Sequence, residues 1–194
     1  VVVRTRLPGR QALDAVAMLP LAVPGLVLAF GYLAMTQEGA PFHFLVKNPL
    51  MSPGDPFFLL VIAYAVRRLP YVVRSAAAGF QQTSVTLEEA AQNLGLTPLR
   101  SLWKITVPLI TANLIAGGLL AFSFAMLEVS DSLILAQQPL HVPITKAIYT
   151  LLGALGNGHV LSAALGVWAM VFLAVTIIGA GLILGKKLGA LFRV

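Results

Sequence analysis

Cysteine is absent from this chain. That excludes disulfides, thiolate zinc sites and thiol nucleophiles. Charge is scarce as well. Only 10% of the 194 residues are Asp, Glu, Lys or Arg, where soluble domains carry about 25%. With 58% hydrophobic residues and a mean hydropathy of +0.89, a globular chain would lack the polar surface to cover itself. The composition therefore points to an integral membrane protein. Acidic residues are the rarer sign, 7 against 13 basic, for a net charge of +6. The basic residues sit at the ends of apolar runs and form no long stripe, so nucleic acid is not expected as a partner. No Gly-x4-Gly-Lys-Ser/Thr string occurs, so ATP binding through a P-loop is not expected. His43, His141 and His159 stand apart, with no His-Glu-x-x-His spacing. No metal site, no cofactor and no catalytic residue is expected, and the chain does not read as an enzyme. Val1-Val2-Val3-Arg4 lacks the charged, apolar and cleavage regions of a signal peptide.

Long apolar runs are what the chain has in quantity. A helix rises about 1.5 Å per residue, so about 20 residues cross about 30 Å of hydrocarbon. Residues 15–35, 107–127 and 160–185 meet this without a charge. Residues 57–79 form a fourth candidate, interrupted by Arg67 and Arg68. Such runs are too long and continuous for barrel strands, which leaves an all-α bundle of membrane helices.

The basic residues set the direction. Arg4, Arg6 and Arg10 precede the first run, Arg68 and Arg74 precede the loop 83–104 and Arg100 and Lys104 lie in its second half, and Lys186, Lys187 and Arg193 follow the last run. The connections 36–56 and 128–159 hold only Lys47 and Lys146. Cytoplasmic loops carry the excess of Lys and Arg. Both termini of this chain and the loop 83–104 are therefore expected in the cytoplasm, and an even number of spans fits that pattern.

Polar residues inside the runs leave alternatives open. Arg67 either snorkels to the cytoplasmic headgroups with Arg68, or faces the bundle interior and pairs with a carboxylate such as Glu128. Glu128 and Asp131, three apart, would share a helix face at the outer end of the third run. They are either solvated there or line a substrate path. Pro20, Pro24, Gly25 and Gly31 imply a kink or a hinge in the first run. Gly117, Gly118, Gly179, Gly181 and Gly185 imply close helix contacts. A short helix is expected within 143–152.

The loop 83–104 carries a polar helix of its own. Thr83, Ser84 and Thr86 offer N-cap oxygens, Thr86 and Glu89 have capping-box spacing, and Glu88 and Glu89 favour the positive end of the helix dipole. Gly95 fits a left-handed C′ position, with Pro98 beyond as a stop. The full spacing is Glu89-Ala90-Ala91-x3-Gly95-x9-Ile105-x-Val107-Pro108. It resembles the EAA loop of permease subunits of binding-protein-dependent ABC importers, the MetI-like family, with Val-Pro where the family writes Leu-Pro. Residues 7–32, 67–82 and 122–135 also resemble permeases of the ferric-iron, thiamine, polyamine and phosphonate type.

The resemblance implies a MetI-like bundle in the bacterial inner membrane. It implies a coupling helix whose Glu88, Glu89, Ala90, Ala91 and Gly95 dock on ATP-binding subunits. It also implies a second permease subunit or half, an external substrate-binding protein, and a small polar or ionic substrate such as ferric iron. The family core has at least five spans, so the chain reads as a single permease domain incomplete at its N-terminus, or as the second half of a fusion. A proton-coupled carrier using Glu128 and Asp131 is the rival reading, and a membrane scaffold without transport is a third.

Overall fold

The structure is a computed structural model that describes residues 2–5, 7–46 and 56–191, with side chains as far as residue 182. Arg6, Lys47 and Arg193 lie outside the described residues, as do the side chains of Lys186 and Lys187 and the surroundings of Gly185. Every regular element described is helical, as the apolar runs require. In chain order the α-helices are α1 (Arg10–Ala22), α2 (Gly25–Met35), α3 (Phe57–Gln82), α4 (Val85–Asn93), α5 (Pro98–Ser101), α6 (Val107–Met126), α7 (Ser130–Leu135), α8 (Ile144–Leu152) and α9 (Gly158–Leu191).

Among the described residues, two helical stretches are long and apolar enough to cross a membrane, Pro98–Met126 and Gly158–Leu182. The run 15–35 is not one straight span. It divides into α1 and α2, a broken pair that would count as a third crossing. Pro24 explains the break: it disfavours helical geometry at Val23 and starts α2 as its N-cap residue, with φ −57° and ψ 139°. The expected kink is thus a full interruption. α3 has 26 residues, a length of about 39 Å, and continues through Pro70. Its arginines, rather than its length, set it apart from the apolar spans.

Packing divides the chain into two compact units. The first comprises Val1–Leu19, Leu69–Phe122 and Gly179–Val194. There α3 and α6 approach closely over small residues. An ideal Cβ on Gly117 would lie 2.6 Å from the Cβ of Ser75, and one on Gly79 would lie 2.9 Å from the Cβ of Ile110. Ser75 Oγ donates to the Asn113 carbonyl at 2.6 Å, which satisfies a hydroxyl at the same crossing. Gly117 therefore has the contact role expected of it. A Cβ added at Gly118, Gly179 or Gly181 would meet nothing within 4 Å among the described residues.

In the same unit, α5 leads through a π-turn, Leu102–Thr106, into α6. The N–H of Val107 donates to the Leu102 carbonyl across this wide turn. Pro108 gives the physical reason. A proline has no N–H and crowds the carbonyl four residues before it, and a wider turn relieves that crowding. The Val-Pro pair of the sequence motif thus marks where the helix loosens before its long apolar stretch.

The second unit comprises Pro20–Arg68 and Ser123–Ile178. Its core is Ala29 of α2, Leu59, Leu60 and Ala63 of α3, and Leu135 and Ala136 at the end of α7. Tyr32, Leu33, Tyr64 and Ile134 pack around them. α8 forms where a short helix was expected, at Ile144–Leu152. Along α9, Val167, Trp168, Val171, Val175 and Ile178 are all exposed. Water would not tolerate so continuous an apolar surface, whereas acyl chains do.

Candidate functional site

Two groups of residues stand out, one in each unit. The first is α4 and its flanks. Ser84 is the N-cap and accepts from the Thr86 N–H at 3.3 Å. The expected capping box from Thr86 to Glu89 is therefore corrected: Thr86 is already inside the helix, with its hydroxyl 2.7 Å from that of Ser84. Glu88 sits in the first turn, near the positive end of the helix dipole.

The end of α4 is a Schellman turn. The Leu96 N–H donates to the Ala91 carbonyl at 3.1 Å and the Gly95 N–H to that of Gln92 at 2.9 Å. Gly95 has φ +91°, a left-handed conformation that side chains with a Cβ resist. Pro98 is more than a stop: it occupies the first turn of α5, with Thr97 as its N-cap.

The five residues expected to dock on a partner do not share one face. Glu89, Ala90 and Gly95 are exposed, with Leu87 and the 85%-exposed Leu94 beside them. Ala91 is buried, and Glu88 turns inward. Glu88 Oε1 lies 3.3 Å from Arg4 Nε, and its carbonyl lies 3.5 Å from Ser101 Oγ. Their positions explain the split, because residues three apart occupy the same side of a helix.

The second group lies around the start of α7. Arg68 Nη2 donates to Glu128 Oε2 at 2.7 Å and to the Phe124 carbonyl at 2.7 Å. Arg67 reaches both Glu128 and Asp131 at 3.5 Å. Of the two placements open for Arg67, the inward one is found, paired with Glu128. The carboxylates are not solvated, since Asp131 is only 1% exposed and Glu128 9%. Nor do they share a helix face. Glu128 lies in the break between α6 and α7, where its Oε1 accepts the Ser130 N–H at 2.9 Å, and Asp131 lies in the first turn of α7.

Gly25 makes room for this cluster. A Cβ there would stand 2.5 Å from Arg67 Nη1 and 2.8 Å from the Ser130 Cβ. The cluster holds two cations against two carboxylates, so its charge is internally matched. Asp131 Oδ2 has no hydrogen-bond partner among the described residues.

Sequence reasoning missed two side chains. Arg4 was read only as a topological charge. Lys146 was read only as an outer-loop charge, yet its Nζ donates to the carbonyls of Leu133 and Ala136 at the end of α7. A cation suits the negative end of a helix, and burial holds the Lys146 ammonium below its usual pKa. No helix spacing rule flags either contact: Arg4 meets residues some eighty positions away, and Lys146 folds back across a loop onto the preceding helix. No cluster of three metal-ligating side chains occurs among the described residues.

Comparisons with known proteins bear on the family. The sequence profile of the family described as binding-protein-dependent transport system inner membrane component matches residues 3–185. The molybdenum transport system permease protein ModB of Escherichia coli is 31% identical over 164 residues, covering 80% of this chain and 69% of that protein. The sulfate transport system permease protein CysT of Salmonella typhimurium is 30% identical over 128 residues, 66% of this chain and 46% of that protein. The ferric transport system permease protein FbpB of Actinobacillus pleuropneumoniae is 30% identical over 130 residues, 67% of this chain and 18% of that protein. The chain spans about half the length of the sulfate permeases it matches. A polytopic helical chain with its own exposed polar helix, matched almost throughout by one family, belongs to the inner membrane components of binding-protein-dependent transport systems.

Proposed function

We propose that this chain is part of the transmembrane permease of an ATP-driven importer in the bacterial inner membrane. α4 would be the handle through which ATP-binding subunits move it. The observation that carries the reading is the exposed side of α4. Leu87, Glu89, Ala90 and Leu94 are open, and Leu99 and Trp103 are each 65% exposed beyond them. A small residue at Ala90 lets a partner come close to the backbone, and the leucines offer apolar anchors. Closing and opening of ATP-binding subunits on that surface would shift the permease between inward-open and outward-open states, provided that they hold the two states with different affinity.

In this reading the broken pair α1–α2, α3, the α5–α6 stretch and α9 make four crossings, with both termini of this chain cytoplasmic. A second permease subunit or half completes the path, and an external binding protein delivers the substrate. The printed names of the relatives divide among sulfate, molybdenum and ferric systems. They favour an ionic cargo and give ferric iron no precedence.

The test is ATP-dependent uptake into proteoliposomes holding the full complex. Glu89→Lys should leave membrane insertion intact and sever uptake from ATP hydrolysis. Unchanged uptake per ATP would remove the handle assignment. The proton-coupled alternative draws on the unpartnered Asp131 Oδ2. It predicts uptake without ATP-binding subunits, abolished when the proton gradient is collapsed.

A further inference from the structure

The inner side of α4 packs on α5 and the turn after it, and one residue from the N-terminal segment also reaches it. Arg4 Nη2 donates to the Thr83 carbonyl at 2.7 Å, just ahead of the Ser84 N-cap. Its Nε lies 3.3 Å from Glu88 Oε1, and its guanidinium lies 5.7 Å from the centroid of the Phe80 ring. Glu88 and Arg4 are both largely covered, with side-chain exposures of 19% and 17%. Around them the packing is incomplete. A cavity of about 680 Å³ lies on this side of α4, lined in part by Arg4, Leu13, Ala17, Phe80, Glu88 and Gln92. Arg4 therefore reaches α4 beside open space, and a helix with a void behind it has room to shift.

Contacts continue from Arg4 toward the other helices of the unit. The side chain of Arg10, the first residue of α1, donates to the Thr5 carbonyl at 2.8 Å, next to Arg4 in the chain. One turn further along α1, Asp14 Oδ2 pairs with Arg74 Nη2 of α3 at 3.0 Å. From α5, Ser101 Oγ meets the Glu88 carbonyl at 3.5 Å. Glu88 thus sits between two lines of contact. Its backbone faces the stretch leading into α6, and its side chain faces the segment leading into α1.

We infer that Arg4 is a positioning residue, the tie through which displacement of α4 is delivered to α1 by way of Glu88. This rests on the docking of ATP-binding subunits proposed above, and it assigns Glu88 a task different from that of exposed Glu89. Glu89 meets the partner, and Glu88 passes the movement inward. Without Arg4, α4 would move against the cavity and act on α6 alone. Coupling of this kind is read from the response of α1 when α4 is displaced.

These 194 residues hold no cysteine, so with any cysteines elsewhere in the complex replaced, one introduced thiol takes one label. Gln11→Cys on α1 and Asn93→Cys on α4 are exposed sites for a nitroxide label, used one at a time in the full complex in lipid. The probe is ATP with vanadate, which holds the ATP-binding subunits closed. Both labels should respond in the parent. Arg4→Ala should reduce the response at position 11 by about fivefold or more, the range of ordinary allosteric coupling, and leave that at position 93 in place. Exchanging the charges, Arg4→Glu with Glu88→Arg, should restore the response at position 11. An undiminished response at position 11 in Arg4→Ala would overturn the inference. So would loss of both responses, which would make Arg4 a general support of the fold. Silence of both labels in the parent would instead remove the docking reading beneath it.

Discussion

The Arg68 guanidinium meets the Glu128 carboxylate at 2.7 Å, and both side chains are about nine-tenths covered. Without Arg68, Arg67 alone faces the two carboxylates Glu128 and Asp131, and breaking a buried pair costs up to about 3–5 kcal/mol. Arg68→Ala should therefore lower the thermal midpoint of the purified complex in detergent sharply. Arg68→Met with Glu128→Gln, which removes both charges, should recover a large part of the loss. If the double variant is no more stable than Arg68→Ala alone, the pair is not what holds this region.

Close packing of α3 on α6 makes a contrast between adjacent glycines. Gly117→Leu drives a side chain into Ser75 and the Val72 backbone, whereas the space at Gly118 is open. Overpacking costs about 1–3 kcal/mol, more where backbone must move. Gly117→Leu should destabilise the protein by at least that much and Gly118→Leu by far less, as read from detergent melting curves of the two. Equal effects would contradict the crossing described here.

Lys146 closes α7 by donating to two carbonyls, at 3.0 and 2.7 Å. Hydrogen bonds from a charged donor are worth about 1.5–3 kcal/mol. Lys146→Met keeps the stem and removes the donors, so it should destabilise by an amount in that range. Hydrogen exchange at the end of α7 should rise with it, and unaltered protection there would show that the carbonyls find other partners.

Much of this was legible in the sequence because it depends on local rules. Helical class, the apolar stretches, the end of α4 at Gly95 and α8 all follow from periodicity and turn chemistry. What failed were statements about which way a polar side chain points. Glu128 and Asp131 are three apart and would share a face only on an unbroken helix, yet α6 ends at Met126. Nothing in the apolar run announces that break. Arg67 looked fit to snorkel because no spacing rule shows a carboxylate more than sixty positions away folding back to meet it. Similarly, Glu88 and Glu89 are equal in composition, and only the rotation of α4 sends one to Arg4 and the other outward.

That rotation can be read chemically. In a chain without cysteine, each single substitution gives one thiol. Glu89→Cys, Ala90→Cys and Leu94→Cys lie on the exposed side of α4, and Ala91→Cys lies on the buried side. A membrane-impermeant maleimide should label the first three quickly in inside-out vesicles and slowly in right-side-out cells, which places the loop in the cytoplasm. Ala91→Cys should stay unlabelled in both until the protein is denatured. Binding of the ATP-binding subunits should then protect positions 89, 90 and 94. Rapid labelling of position 91, or labelling of position 89 from outside the cell, would mean that α4 is turned or placed otherwise. The handle would then have no surface to offer a cytoplasmic partner.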